Sequence, residues 1–467
     1  MRNIEMEVLS RRFGHASPFR KKFVYVKECL RRPRVILWTI LSLVGFKNRS
    51  FIGNFRLIED FHYSISSSQQ DLSNHYRNWK DSDYLFAQGE YHNAIMLRKE
   101  ILRDLHVESD YPPIMPETFS ISIGHLALSY LHKLAIEASL LVKGPRFHLF
   151  GSRCANLDAF KFVSQGNQVI RQHVLSFTGS LMFSPIAENL TMFRGIDDFF
   201  DIYELWERIG SLQRSQESLI YPSEKLPIFE SKYLERETEL LNQMGISNDR
   251  KIALLHVRDT GNIGDTRNAN IEHYSKAIRE LIRNDFAVIR IGDSRMPSIK
   301  IEEKGFFDFT KPTRFPRISD FFLFSRCDAF IGTTSGPFGF PLLFGKPTLV
   351  TNLTSISRNS LSGNKSIYVP KKIVTRGSNR VWTLEEMLQS KLSFGGEYSH
   401  SQLARQGLTF LENTEEEILE ATKDLMRLIE SDFSLIDSRM DTVNRIRKEA
   451  RSVSYGDFAS SFLDGMT

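Results

Sequence analysis

The stretch KIALLHVRDTGNIGDTRNAN, residues 251–270, decides how the second half of the chain folds. The apolar run near its start matches a strand that is buried on both faces, which is typical of a parallel sheet. The polar residues that follow are rich in Gly and Asn, which favour a loop, and they include two arginines, Arg258 and Arg267. Permanently charged side chains at the mouth of a buried strand predict a phosphate ligand.

The pattern repeats outward from this stretch, because apolar runs alternate with amphipathic segments. The predicted strands are FAVIRIGD (286–293), GFFDFT (305–310), DAFIGT (328–333) and PTLVTN (347–352). The predicted helices are NIEHYSKAIRELIRND (270–285), RISDFFLFSRC (317–327) and SGPFGFPLLFGK (335–346). Nearly continuous apolar strands that are separated by helices indicate a parallel, doubly wound sheet.

The first half of the chain carries the same alternation less clearly. The segment TFSISIGHLALSYLHKLAIEASLL (118–141) predicts a strand, a short loop and a helix, and RFHLFGS (146–152) predicts the next strand. We therefore expect an α/β protein with two α/β domains, the second doubly wound, and a helical N-terminal extension. The predicted parts are a basic helical region with a tetratricopeptide-like hairpin at 1–110, an α/β domain at 116–240, a doubly wound α/β domain at 250–400 and C-terminal helices at 401–467.

Composition and cysteine usage limit the class of protein. The chain has 467 residues, of which 41% are hydrophobic and 25% charged, and these are ordinary values for a soluble protein. Its three cysteines, Cys29, Cys154 and Cys327, form no CxxC pair, so they suggest neither a zinc site nor a disulfide framework. No apolar core follows the first charged residues, as it would in a signal peptide. We expect a cytoplasmic protein.

A basic segment near the N-terminus leaves two interpretations open. Residues 11–50 contain eleven lysines and arginines and one acid, Glu28. They enclose VILWTILSLVGF (35–46), which is too short to cross a membrane. The segment is either a basic amphipathic helix on the inner membrane surface or a core helix with a solvated flank. No nucleic-acid reading motif accompanies it, so we expect no nucleic acid as a partner.

Three polar stretches fall at predicted strand ends, where ligands of open parallel sheets bind. In the first, Arg258 offers a forked cationic donor to a phosphate, and His256 and Asp259 can orient it. The alternative is a surface loop with a structural Arg–Asp pair.

The second stretch, GTTSGP (332–337), places hydroxyls before a predicted helix that begins near Pro337, which suits an anion. Its candidate donors are Thr333, Thr334, Ser335 and Gly336. The alternative is a Ser/Thr helix cap alone.

In the third stretch, RIGDS (290–294), Asp293 either contacts a ribose or base edge or closes a turn. Asp308, in FFDFT, is a further candidate for a ribose or base contact. Arg290 lies inside a strand pattern, which favours a structural role.

A candidate base lies in the first half of the chain. In SIGHLAL, His125 is predicted to follow a strand directly, and a histidine there can take a proton from an acceptor hydroxyl near neutral pH. The alternative is a structural histidine. No metal-ligand motif is visible, so we expect neither a metal nor another cofactor.

These motifs together resemble a family of bacterial glycosyltransferases encoded with surface-polysaccharide genes. The resemblance rests on HVRDTG, VIRIGD, FFDFT, SDFFLFSRCDAFIGTTSG, GKPTLVTN and ENTEEEILEATKDL, with IGHLAL in the first half, and it spans roughly residues 118–430. The family is similar to GT-B enzymes, which have two Rossmann-like domains. The resemblance therefore implies that both α/β domains of this chain are Rossmann-like. The GTTSGP…GKP passage resembles the donor-phosphate turn of heptosyltransferases, and HVR resembles the His-x-Arg motif of fucosyltransferases.

The resemblance implies a nucleotide-sugar donor and a glycan or lipid-linked acceptor. It implies that Arg258 and the turn at Thr334, Ser335 and Gly336 hold the donor diphosphate, without a metal in the chemistry. It also implies that Asp293 contacts the nucleoside. His125 is the candidate for the base.

Other functions stay open at this point. An epimerase or a pyruvyl transferase is an enzyme alternative on the same fold. A non-catalytic scaffold, which uses the hairpin and the basic face to recruit partners, is an alternative of another class. The scaffold predicts no donor binding.

Overall fold

The computed structural model describes most of the chain from residue 231 onward and shorter segments before it. The described residues are isolated positions between 78 and 100, then 114–115, 120, 122–141, 147–149, 154–165, 168–170, 192–194, 199–201, 205, 208–209, 231–261, 265–313, 318–354, 365–390, 400–431, 446 and 457–464. The predicted basic segment lies outside them, and so does most of the predicted hairpin.

The described residues form two compact units. The smaller comprises those up to Ile202 except Tyr130–Ala138, and the larger comprises Tyr130–Ala138 and those from Tyr203 onward. The smaller unit contains a parallel sheet in the order β1-β2-β3 and an antiparallel pair, β4-β5. Its elements are β1 (Ile114–Met115), α1 (Ile123–Glu137, shared with the larger unit), β2 (Phe147–Leu149), α2 (Leu157–Val163), β3 (Gln168–Ile170), β4 (Met192–Arg194) and β5 (Phe199–Asp201).

The loop expected around His125 is part of a helix instead. The predicted loop around His125 belongs to α1, which begins at Ile123, and the Leu126 N–H donates to the Ser122 carbonyl at 3.0 Å. Apolar residues recur at helical spacing from Ile123 onward, so the helix extends over the segment that was predicted to separate it from a strand. His125 therefore lies in the first turn of a helix and not directly after a strand.

A seven-stranded sheet, parallel throughout, organises the larger unit. Its order is β15-β11-β10-β9-β6-β7-β8. The strands are β6 (Lys251–His256), β7 (Phe286–Arg290), β8 (Phe306–Asp308), β9 (Ala329–Thr333), β10 (Thr348–Leu353), β11 (Ser366–Pro370) and β15 (Asp457–Phe458). Strand β7 is buried along its whole length, as are β9, β10 and β11. Burial on both faces explains the nearly continuous apolar runs, and the expected α/β class is confirmed.

Helices connect and cover the strands of this unit, and a second small sheet follows β11. The helices are α3 (Ser231–Gln243), α4 (Ser275–Arg283), α5 (Asp320–Arg326), α6 (Gly339–Leu343), α7 (Leu384–Gln389), α8 (His400–Arg405), α9 (Glu415–Ser431) and α10 (Ser460–Asp464), with 3-10 helices at Ile271–Tyr274 and Gly336–Phe338. The small antiparallel sheet has the order β13-β12-β14, from β12 (Lys372–Thr375), β13 (Arg380–Val381) and β14 (Leu408–Leu411).

The predicted helix over 335–346 is shorter than expected. The chain forms the 3-10 helix at Gly336–Phe338 and then the five-residue α6. Pro337 and Pro341 donate no backbone hydrogen bond, and glycine is the weakest helix former after proline, so this segment cannot sustain a long helix. Phe340 nevertheless packs its ring against Phe321 and Phe324 of α5, which anchors α6 in the aromatic core.

The order in which successive strands are added to the sheet reverses between β6 and β9. Strands β7 and β8 lie on one side of β6, whereas β9, β10 and β11 lie on the other, which is the Rossmann strand order. The two strands approach closely at this point, because a Cβ on Gly332 would lie 2.9 Å from the His256 carbonyl oxygen and 2.7 Å from the Phe330 ring. A glycine is therefore required at Gly332.

No helix within the described part of the chain is both long and apolar enough to cross a membrane.

Candidate phosphate site

The candidate site lies at the carboxyl ends of β6 and β9. His256 ends β6 and Thr333 ends β9, and His256 is the register partner of Gly332. Since this is where the strand order reverses, helices leave the sheet in opposite directions and open a crevice, in which ligands of such sheets bind. The sequence predicted this position for His256 and Thr333, and the structure brings them together.

Hydroxyl groups connect the two strand ends. The Ser335 hydroxyl lies 3.0 Å from Nδ1 of His256, and the Thr333 hydroxyl accepts a hydrogen bond from the Arg258 backbone N–H at 3.0 Å. Ser335 and Thr333 are both buried. The hydroxyl of Thr334, also buried, has no hydrogen-bond partner within the described part of the molecule. A buried donor without a partner is costly, so Thr334 presents an unsatisfied group at this site.

His256 is neutral at physiological pH. Burial, together with the positive charges of Arg258 and Arg290, lowers its pKa to about 4. His256 therefore adds no charge for an anion, and its ring acts as a hydrogen-bonding partner of Ser335.

Both arginines of the opening stretch converge on one carboxylate. We call the described residues between Val257 and Asn270, namely 257–261 and 265–270, the arginine loop. Arg258 donates to Oδ2 of Asp265 from Nε at 3.2 Å and from Nη2 at 2.8 Å. Arg267 donates from Nε to Oδ1 and from Nη2 to Oδ2, each at 2.9 Å, and its backbone N–H also reaches Oδ1. The two guanidinium groups are therefore held side by side, about three-quarters buried.

This pairing keeps Asp265 ionised. Burial alone would raise its pKa, but the hydrogen bonds from Arg267 and Arg258 outweigh burial and hold the pKa well below its usual range. The two arginines and one carboxylate leave a net positive charge at the strand ends, which favours an anionic ligand. Asp265 was not among the predicted site residues, although an Asp two residues before an Arg, in the loop that follows a buried strand, is the signal that could have identified it.

Lys371 is a second residue that the sequence analysis missed. It follows β11 directly, and its buried Nζ donates to the backbone carbonyls of Thr266 and Asn268 in the arginine loop. In the sequence, Lys371 and Lys372 look like a solvated pair in a turn, and no local signal shows that the first one is buried.

The remaining predicted residues lie at other points along the strand ends. The Asp259 side chain accepts the backbone N–H of Gly261 at 2.9 Å, and Gly336 begins a 3-10 helix. Asp293 is exposed and binds Arg295 through two side-chain bonds and one backbone bond, which is the turn-closing alternative. These hydrogen bonds lower the pKa of Asp293 to about 2.

Asp308 is engaged with a buried arginine. Its Oδ2 accepts from Nη1 of Arg290 at 2.9 Å, and its Oδ1 accepts from the backbone and the hydroxyl of Thr310. Arg290 is fully buried in β7, and its Nε and Nη2 have no hydrogen-bond partner among the described residues. Burial lowers the pKa of Arg290, and the charge of Asp308 opposes this effect. The structural role that was favoured for Arg290 fits this ion pair.

His125 is exposed on α1, in the part of the helix that belongs to the smaller unit. Across the segments that the structure describes, no group of three or more His, Cys, Asp or Glu side chains could hold a metal ion.

Comparisons with known proteins show only weak similarities. No family model and no curated protein matches the sequence. The solved structure of the E. coli ADP-heptose lps heptosyltransferase II is 14% identical, with a TM-score of 0.37, and the match covers 56% of this chain and 90% of that chain. A family 9 glycosyl transferase from Veillonella parvula is 11% identical, with a TM-score of 0.30, and the match covers 65% of this chain and 78% of that chain.

A third match is the glycotransferase of kitacinnamycin, at 9% identity and a TM-score of 0.30, over 74% of this chain and 95% of that chain. Similarities at this level assign the chain neither to a family nor to an activity. The Rossmann arrangement of the larger unit is established by its own strand order.

Proposed function

We propose that this chain is a glycosyltransferase that moves a sugar from a nucleotide-sugar donor to a surface glycan or its lipid-linked precursor. The observation that carries the proposal is the pair of side-by-side arginines, Arg258 and Arg267, at the point where the strand order reverses. Positive charge and hydroxyl donors at such a point suit the diphosphate of a nucleotide.

Transfer of a glycosyl group breaks the bond between the sugar and the diphosphate while an acceptor oxygen attacks the anomeric carbon. Negative charge then builds on the leaving diphosphate, and fixed donors that are aimed at this charge lower the barrier. In the proposal, Arg258 and Arg267 supply cationic donors, and Thr334 and Ser335 supply hydroxyl donors. The resemblance that the sequence shows to a glycosyltransferase family supports this reaction class and needs no metal for it.

The acceptor oxygen must also lose a proton. On the resemblance alone, His125 remains our candidate for the base that takes it. A base for the acceptor affects the chemical step more than donor binding. We therefore expect His125→Ala to retain nucleotide binding and to lose transfer, and retention of full transfer activity would remove His125 from the mechanism.

A thermal-shift screen against UDP, GDP, CMP, ADP and their sugars tests donor binding. A ligand at a hundred times its Kd stabilises the folded state by about 2.7 kcal/mol, which is a shift of several degrees. We expect one nucleotide class to shift the wild type, and to shift Arg258→Ala and Ser335→Ala less. Arg380→Ala is the matched control, since Arg380 is an exposed arginine that pairs with Glu386 next to the small sheet.

The products then separate the alternatives. A glycosylated acceptor together with a free nucleotide supports the proposal, whereas an altered sugar nucleotide without an acceptor requirement indicates an epimerase. Stabilisation that is equal in all three variants would show that the phosphates bind elsewhere. No response of the wild type to any nucleotide would favour the scaffold.

A further inference from the structure

Lys371 is a buried amine behind the arginine loop. The residue is 3% exposed, and its backbone N–H donates to the Leu353 carbonyl at 2.8 Å, which ties it to the end of β10. Its Nζ donates to the carbonyl oxygens of Thr266 at 2.9 Å and of Asn268 at 2.7 Å. These two carbonyls flank Arg267 in the chain. One side chain therefore holds the backbone on both sides of that arginine.

The arginine loop depends on such bonds for its shape. Between Arg258 and the 3-10 helix at Ile271–Tyr274, its described residues form neither helix nor strand. The Ala269 N–H donates to the Arg258 carbonyl at 2.9 Å and closes the loop at its base. Asp265 joins the two arginine side chains to each other. Lys371 instead connects the loop to another part of the sheet, because it directly follows β11 and is bonded to the end of β10.

The charge of Lys371 also acts on the site. Burial lowers its pKa to about 8, although Glu412, which follows β14, and Asp265, in the arginine loop, oppose that effect. Below that pH the ammonium adds a third positive charge to those of Arg258 and Arg267. Charge-assisted bonds to the two carbonyls are stronger than those of the neutral amine, so the hold on the loop weakens as Lys371 loses its proton.

We propose that Lys371 is a positioning residue of the phosphate site: by holding the carbonyls of Thr266 and Asn268, it fixes Arg267, and through Asp265 also Arg258, in the pose that binds the donor diphosphate. This inference rests on the proposed nucleotide-sugar site and adds a residue that contacts no ligand itself. Two quantities are measured separately: how firmly Lys371 holds the arginine loop, and how tightly the protein binds a nucleotide. A failure of the positioning role can then be distinguished from a failure of the proposed function.

The loop hold is tested without any ligand. Hydrogen exchange of peptides from the arginine loop is compared in wild type, Lys371→Met and Lys372→Met. Methionine matches the four-atom apolar stem of the lysine but lacks the amine. Lys372 is the matched control, because its amine pairs with Glu417 on α9 and not with the loop. We expect faster exchange of the loop in Lys371→Met alone, and equal exchange in both variants would overturn the inference.

The affinity is tested by calorimetry with UDP, GDP, CDP and ADP. For the nucleotide that binds the wild type, we expect Lys371→Met to bind about tenfold or more weakly, which corresponds to ~1.4 kcal/mol, and Lys372→Met to bind as the wild type does. Lys371→Arg keeps the charge above pH 8, so we expect the wild-type affinity to fall between pH 7 and 9.5 and that of Lys371→Arg to stay constant.

The outcomes separate the two proposals. Equal affinity in the wild type and in a folded Lys371→Met overturns the positioning role and leaves the nucleotide site intact. If Lys371→Met does not fold, a pH profile shared by the wild type and Lys371→Arg overturns it instead. Absence of binding to the wild type overturns the proposed function and this inference with it, even where the loop exchanges faster.

Discussion

Replacement of Asp265 by Asn tests the pairing at the centre of the site. In the wild type, three donors converge on Oδ2, namely Nε and Nη2 of Arg258 and Nη2 of Arg267. Two more reach Oδ1, from the backbone and Nε of Arg267. An amide has only one oxygen, so either orientation of the Asn side chain turns its NH₂ group toward at least two donors. The variant therefore loses bonds and also creates donor–donor contacts.

The structure provides a matched control for this change. Asp293 receives the backbone N–H, Nε and Nη2 of Arg295 in the same local pattern, but it has only one donor on Oδ2. Its side chain is 46% exposed, whereas that of Asp265 is 13% exposed. We expect Asp265→Asn to lower the free energy of unfolding by about 3 kcal/mol, because bonds to charged, largely buried groups are lost. Asp293→Asn should cost less than about 1 kcal/mol, as exposed ion pairs do.

This difference in the free energy of unfolding is measured by urea unfolding of the larger unit, with hydrogen exchange of peptides from β6 and β9 as the probe. With a slope of about 3 kcal/mol per M for a unit of this size, a deficit of 3 kcal/mol lowers the urea midpoint by about 1 M. If Asp265→Asn and Asp293→Asn shift the midpoint equally, the two arginines do not depend on the shared carboxylate, and the reasoning about the loop is refuted.

Three further changes test other contacts of the site. Thr333→Val removes the acceptor of a backbone N–H in the arginine loop and should lower the free energy of unfolding by about 1–2 kcal/mol in urea. Thr334→Val removes a buried hydroxyl that has no partner among the described residues, so it should leave the free energy of unfolding unchanged or raise it. Equal losses in the two variants would contradict the assignment. Asp308→Asn removes the countercharge of the buried Arg290 and should cost about 3 kcal/mol in the same assay, and a near-neutral result would mean that water or a shift of the side chain satisfies the guanidinium. The pKa of His256 is lowered from 6.5 to about 4 in the folded state, so the neutral ring favours folding. Its contribution to the free energy of unfolding is therefore complete above pH 6.5 and is lost as the pH falls toward 4. A His256 NMR signal that titrates near pH 6.5 would contradict this.

The sequence predicted five strands of the large sheet, β6 to β10, because burial on both faces leaves apolar runs that few other structures require. It did not predict β11 or β15. IALL, FAVI and AFI are each recognisable without a partner strand. The strand ends therefore also identified His256, Arg258 and Thr333 as neighbours, since parallel strands bring their carboxyl ends to one edge.

Contacts between residues that are distant in sequence were not predictable in the same way. Whether Lys371 faces solvent or the arginine loop depends on carbonyls about a hundred residues earlier in the chain, and local composition does not contain that information. Asp293 shows a different limit of prediction. An aspartate at a strand end can contact a ribose or close a turn, and the sequence alone does not distinguish these two roles. The first turn of α1 was predicted to be a loop because it contains Gly124, and a glycine marks a turn more often than it lies inside a helix.

The edge of the large sheet has a consequence for how the protein behaves at high concentration. Strand β11 is buried over all its five residues, and the neighbour that covers it, β15, is only two residues long and begins with an aspartate. A long, flat, apolar strand with unpaired N–H and C=O groups would recruit strands of other molecules, whereas a short, charged one gives them little to pair with. Loss of the segment at Asp457–Phe458 would thus uncover β11, and we expect such a shortened chain to aggregate during expression before any effect on ligand binding could be measured.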